Sequence, residues 1–221
     1  MLSIIIPTDE KEPNSLFPKT LQALSASQDL EIIFVSKSEG KTRAERLNIG
    51  FQKSKGDIVL CHHPRSFIEA DGIYFLIKLS KEQNRNLIWG GFTHKFDVEH
   101  FLLRFTSWYS NQIRGKSKGI FYLDHCIFFD RLLWKQNLPN VEIFEDTILS
   151  YYLLHSTKPI LLPYISFTSA IRFQQNGIWR QSFLNQLLKI GFHLKFNHKS
   201  MNQIYEKNLW LNGNINYTNE S

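Results

Sequence analysis

Continuous apolar runs alternate with stretches of helical periodicity along the first third of the chain. Leu2-Ser3-Ile4-Ile5-Ile6 reads as a strand buried on both faces and ended by Pro7. A polar loop from Asp9 to Asn14 follows. Leu16 to Ser25 then predicts a helix, with Leu16, Leu21 and Leu24 near one face and Pro18 tolerated in the first turn. Glu31 to Val35 predicts a second strand, and Lys37 to Lys41, with Gly40, a turn. In Thr42-Arg43-Ala44-Glu45-Arg46-Leu47-Asn48-Ile49-Gly50, Ala44 and Leu47 share a helix face with Phe51. Gly56 is the expected stop of that helix, and Ile58 to Leu60 a third buried strand. This spacing predicts a parallel, doubly wound α/β start, in which ligands bind beyond the carboxyl ends of the strands. Polar residues at those ends are Thr8 and Asp9 after the first strand, and His62-His63-Pro64-Arg65 after the third.

The remainder is less regular. Asp71 opens a helix carrying Ile73, Leu76, Ile77 and Ser80, and Leu87 to Phe92 reads as a strand. Its Gly90-Gly91 pair predicts close approach of a backbone or a ligand. An aromatic-rich helix spans His100 to Ile113, followed by a basic loop from Arg114 to Gly119. Cys126 to Phe129 predicts another strand, Glu145-Asp146 the start of a helix running to about His155, and Ile160 to Leu162 a short strand. From Trp179 the chain turns helical and basic, with a polar tail after Leu211. The expected organisation is one domain over 1–221, in stretches of about 1–95, 96–178 and 179–221.

A chain of 221 residues with 43% hydrophobic content can bury a substantial core, and its 18 Phe predict that aromatic packing carries much of it. Cys61 and Cys126 lie in apolar runs without metal-ligand spacing, so buried free thiols are expected. The net charge of +6 suits an anionic partner such as a nucleotide diphosphate, a nucleic acid or an anionic membrane face. No run of five like charges occurs, which weighs against nucleic-acid binding. Leu2 to Ile6 is too short for a signal-peptide core, and no apolar stretch reaches the roughly 18 residues of a membrane span. The expected location is cytoplasmic, with a peripheral position at the inner membrane face as the variant.

Arg43 and Asn48 on their helix, with Gly56-Asp57 before the strand, resemble the nucleotide-sugar half of family-2 glycosyltransferases with the GT-A fold, especially small bacterial members. Ser3-Ile4-Ile5-Ile6-Pro7-Thr8, Gly90-Gly91-Phe92, Asp124 with the strand after it, Glu145-Asp146 and Arg172-Phe173-x-x-x-Gly177 extend the resemblance over nearly the whole chain. It implies a GT-A-like three-layer α/β/α sandwich with a mixed sheet, parallel at its N-terminal side. It also implies inverting transfer of a sugar from a nucleotide-sugar to a glycan or lipid-linked acceptor in the cell envelope. One departure is clear. Where these enzymes carry His-Ala-Asp or Asp-x-Asp for a divalent cation, this chain has His63-Pro64-Arg65.

The resemblance makes Asp146 the candidate base and Glu145 the neighbour that orients the acceptor. The alternative is a pair of acidic residues that only complement the helix N-terminus. Thr8, Asp9, Arg43, His63, Arg65, Asp124 and His125 fall on the nucleotide-sugar side, although His125 stands where the family usually has Gln. Arg172 falls near the acceptor or the diphosphate. No metal site and no cofactor are expected; Mg or Mn would need carboxylates from outside the usual motif, such as Asp124 or Asp57. Arg65 could bind phosphate oxygens through its planar fork, mark a site that has lost catalysis, or face solvent. The rival functions are therefore a lapsed nucleotide-binding or scaffold protein and, more distantly, a basic nucleic-acid-binding protein. Phe183, Leu184, Leu187 and Leu188 either pack on the sheet or rest on a membrane beside Arg180, Lys189, Lys195 and Lys199.

Overall fold

The computed structural model describes residues 1–8, 16–24, 29–82 and 86–207. These fall into two compact units, Met1–Ala170 and Ile171–Ser221. The first unit holds one seven-stranded sheet in the order β2-β1-β3-β6-β5-β7-β4. Its strands are β1 (Leu2–Pro7), β2 (Leu30–Val35), β3 (Ile58–Cys61), β4 (Ser66–Ile68), β5 (Trp89–Phe96), β6 (Ile127–Asp130) and β7 (Ile160–Thr168). β1 pairs in parallel with β2 and β3, as the alternating pattern predicts. β6 then runs antiparallel between β3 and β5, and β7 pairs in parallel with β5 and antiparallel with β4. The sheet is mixed, with its parallel part at the N-terminal side.

Side chains alternate between two apolar layers, as a pleated strand requires. Ile4, Ile6, Leu60 and Phe128 pack with Leu24 of α1 (Phe17–Leu24) and Ile73, Leu76 and Ile77 of α3 (Ala70–Lys81). Ile5, Val59, Ile127 and Phe129 pack on the other face with Ala44 and Leu47 of α2 (Arg43–Lys53) and Leu149 and Leu153 of α5 (Glu145–Leu154). The result is the three-layer α/β/α sandwich. Aromatic rings supply its bulk: Trp89, Phe92, Phe121, Phe128 and Phe129 are fully buried. Cys61 and Cys126 are buried and free.

Several boundaries differ from the sequence reading. α2 ends at Lys53 because Ser54 caps it, with its N–H donating to Gly50 O and Phe51 O. Gly56 has another task, since a Cβ there would stand 2.5 Å from Ser3 Oγ. The predicted close approach at Gly90 is to backbone: a Cβ would lie 1.9 Å from Ile160 O. β4 is too short for a period to show, and β7 extends six residues beyond the predicted Leu162. The helix over α4 (Phe101–Trp108) continues into a π-helical segment, Tyr109–Ser117, which absorbs Arg114 and Gly115 from the expected loop. The second unit contains α6 (Ile171–Asn176), α7 (Ile178–His193) and α8 (His198–Lys207). Asp9, Asn14 and the tail after Leu211 lie outside the described residues.

Candidate active site

The first turn of α2 is set by local chemistry. Thr42 Oγ1 accepts from the Glu45 N–H at 3.1 Å, and the Glu45 carboxylate accepts from the Thr42 N–H at 3.2 Å, a closed capping box. Asn140 joins this box, accepting from Thr42 Oγ1 at 2.8 Å and donating to Glu45 Oε1 at 2.6 Å. One turn later Asn48 pairs with both backbone groups of Leu138, at 2.9 Å and 2.8 Å. The helix thereby holds the segment that leads into α5. Asn48 thus braces the fold through a partner 90 residues away in the chain.

This arrangement brings Arg43 to the start of α5, where Arg43 Nε donates to Glu145 Oε1. Glu145 is 0% exposed, and its second oxygen has no hydrogen-bond partner among the described residues. Asp146 is 7% exposed; its Oδ2 accepts from the Leu123 N–H at 3.0 Å and its Oδ1 from the Thr147 N–H at 2.7 Å. Burial, and then the adjacent Glu145 charge, push the Asp146 carboxyl up to about 6, against the pull of Arg43 and the Leu123 hydrogen bond. Phe144, immediately before the pair, has φ 66°, a left-handed conformation that costs a bulky residue about 1–3 kcal/mol. The surrounding packing holds that strain and aims the acidic pair.

His63, Arg65 and Asp124 form a second group, and their charges reach Arg43 and Asp146. His63-Pro64-Arg65-Ser66 is a tight turn closed by the Ser66 N–H donating to His63 O at 2.9 Å. His63 Nδ1 accepts from the Arg65 N–H at 3.1 Å, so the neutral ring carries its proton on Nε2, which faces Asp124 Oδ1 at 3.8 Å. Burial holds His63 well below the usual imidazole range, with Asp124 opposing and Arg65 and Arg43 adding to the effect. Asp124 moves the other way, down to about 2: burial resists ionisation, but His63, His94, Arg65 and Arg43 outweigh it. Near pH 7, where His63 is neutral, Arg65 and Arg43 remain as fixed positive charges acting on the Asp124 carboxylate. Arg65 is half-buried, so it is not a simple surface cation.

His125 is not among these converging side chains. It is 0% exposed, with Nδ1 bonded to Phe92 O at 2.9 Å and Nε2 to Ser110 Oγ at 2.7 Å. Arg114 in turn donates to Ser110 and stacks on the Tyr122 ring, 3.3 Å from its centroid. This chain ties β5 to the π-helical segment. His125→Ala strands a buried hydroxyl and a carbonyl, and a loss of about 2–4 kcal/mol is expected in chemical denaturation. A loss of less than about 0.5 kcal/mol would contradict this bracing.

Thr8 is half-buried at the end of β1, its N–H donating to Val35 O at 3.0 Å. Asp9 lies outside the described residues. Asp57 precedes β3, at the opposite end of that strand from His62 and His63. Arg172 belongs to the second unit, where it lies over Tyr205 and 3.5 Å from Glu206. Sequence reasoning missed His94, buried on β5 within electrostatic reach of Asp124, and also missed the pairing of Arg43 with Glu145. An Arg opening one helix and a Glu opening another were the available signal.

The donor set does not fit the divalent cation that the resemblance implies. Mg and Mn favour several oxygen ligands. Here the turn contributes no carboxylate, Asp124 Oδ1 lies 3.8 Å from His63, and Arg65 and Arg43 bring positive charge to that carboxylate. Among the described residues no three His, Cys, Asp or Glu side chains converge as a metal would require.

No protein-family model and no curated protein sequence matches the chain. Solved structures do. S. aureus TarS 1–349 is similar over 94% of this chain and 70% of that one, with TM-score 0.56 and 12% identity. The same protein in complex with UDP-GlcNAc aligns over 76% of this chain and 58% of that one, with TM-score 0.55 and 14% identity. A mannosyltransferase from Pyrobaculum calidifontis, in complex with GDP-Man and Mn2+, aligns over 85% of this chain and 61% of that one, with TM-score 0.55 and 15% identity. The chain spans 42% of a longer TarS structure. Strand order, layers and these likenesses agree that the chain has a GT-A-like fold.

Proposed function

We propose that the protein is an inverting, family-2-like glycosyltransferase that moves a sugar from a nucleotide-sugar to a hydroxyl of a glycan or lipid-linked acceptor. The observation that carries this reading is Asp146: a buried carboxylate, held by the Leu123 N–H and poised near neutrality, at the carboxyl end of a GT-A-like sheet. Asp146 removes the proton of the acceptor hydroxyl as its oxygen attacks the anomeric carbon. The bond from that carbon to the diphosphate oxygen breaks on the opposite face. Glu145, fixed by Arg43, raises the basicity of Asp146 through its charge. Thr8, at the end of β1, contacts the nucleotide, with Asp124 beneath the sugar. UDP-sugars and GDP-mannose are the donors to test first, since the similar structures were solved with UDP-GlcNAc and with GDP-Man.

Arg65 and His63 face the leaving diphosphate in place of a cation. Arg65→Ala is expected to weaken diphosphate binding roughly ten- to a hundred-fold, the effect of losing a charged hydrogen-bond partner. Calorimetry with UDP and GDP measures it, and EDTA is expected to leave donor hydrolysis unchanged. Abolition by EDTA with rescue by Mn or Mg would sink the metal-free assignment. A second reading, a lapsed enzyme that binds nucleotides, is favoured by the same loss of carboxylates at the turn. Screening hydrolysis of nucleotide-sugars with acceptor extracts separates the two: nucleotide binding without turnover for any donor supports the lapsed form.

A further inference from the structure

α7 is apolar on two sides. Leu184, Leu188 and Gly191 are buried, and Gly191 lies against Met201 of α8. The sequence reading takes Phe183, Leu184, Leu187 and Leu188 as one set that either packs on the sheet or rests on a membrane. Instead Trp179, Phe183, Leu187, Ile190 and, at the C-cap, Leu194 are between 44% and 65% exposed. At 100° per residue these five fall within about 80° of the helix circumference, a continuous stripe about 22 Å long. Such a stripe demands a second apolar partner.

We propose that this stripe docks α7 in the plane of an anionic lipid bilayer. Charge points there. The 51 residues from Ile171 carry six Lys and Arg against two Glu, and α7 itself has no acidic residue. Arg180 is exposed beside the stripe, and Lys195 and Lys199 are exposed just past its end. Aromatic and aliphatic side chains on a surface helix, with basic residues at its borders, match the interface between lipid headgroups and acyl chains. The same charges oppose a second copy as the occupant. An isologous contact along the stripe would set Arg180 and the Lys195–Lys199 end against their own kind, and α7 offers no carboxylate to offset them. This partner rests on the helix alone and holds whether or not the transfer reaction does.

Co-sedimentation of the full chain, without donor, tests it. The probes are phosphatidylcholine vesicles and phosphatidylcholine vesicles with about one third phosphatidylglycerol. Binding is expected to the second, at least tenfold weaker to the first, and weakened by salt. Phe183→Ser with Ile190→Ser should lower affinity about a hundred-fold, since two large side chains no longer enter the bilayer. Both positions are exposed, and unchanged thermal unfolding of the double variant confirms an intact fold. Failure to bind anionic vesicles, or equal binding by the double variant, overturns the proposal. So does a dimer in sedimentation velocity that disappears in the double variant while vesicle binding is absent.

Discussion

Asp146→Asn is expected to lower turnover by about a hundred- to ten-thousand-fold while leaving donor affinity within about twofold. The amide oxygen can still accept from the Leu123 N–H, whereas its NH2 cannot accept from the Thr147 N–H, so one of the two hydrogen bonds is lost, and the amide cannot take a proton. In the unsubstituted protein turnover should climb as pH rises through about 6, where the carboxyl ionises, and the variant should lose that limb. Stability runs the opposite way. The folded protein holds this proton more tightly than the unfolded chain, whose carboxyl titrates near 3.8. The associated stability is fully present below that value and is lost as pH rises through about 6. At neutral pH the buried charge therefore costs on the order of 1–3 kcal/mol, which offsets the hydrogen bond lost at Thr147, so Asp146→Asn should not lower the melting temperature. An acidic residue kept only for the helix N-terminus predicts a loss of about 0.5–2 kcal/mol on neutralisation. A variant that is less stable and equally active would decide for that simpler role.

Arg43→Met should cost on the order of 3 kcal/mol in unfolding free energy, because it leaves the fully buried Glu145 carboxylate without its cation. Partial solvent contact at Arg43 keeps the loss at the low end for a buried pair. The same change removes one of the charges that draw the Asp146 carboxyl down, so the rising limb of the pH profile should move to higher pH. The double variant Arg43→Met with Glu145→Met should recover most of the stability, since no uncompensated charge remains, yet regain no turnover. Denaturant titration of the three variants gives the coupling directly. An Arg43→Met protein as stable as the original, with an unshifted pH profile, would mean the pair has no structural or electrostatic part in the site.

Most of the fold was legible because it is written in short-range pattern. Leu2 to Ile6 and Ile58 to Leu60 are continuous apolar runs because their strands are covered on both faces, and helix periodicity between them announces the parallel half. The antiparallel part was harder. β4 is three residues long, and β7 carries exposed and half-buried residues among its buried ones, so neither shows a clear period. The acidic pair at the start of α5 was also legible, since such residues at a helix start are visible locally.

What the chain determines by itself is therefore the α/β class, the parallel start, the helix beginning at Glu145 and the absence of a carboxylate at His63-Pro64-Arg65. The tertiary structure alone decided which of those groups meet. Arg43 and Glu145 are 102 residues apart, and Ser110 and His125 pair across two different elements. No local period encodes a contact between separate elements. It likewise decided that His125 faces inward and that Phe183 and Leu187 face outward. Periodicity names the apolar faces of a helix, but only the packed partners select which face is buried.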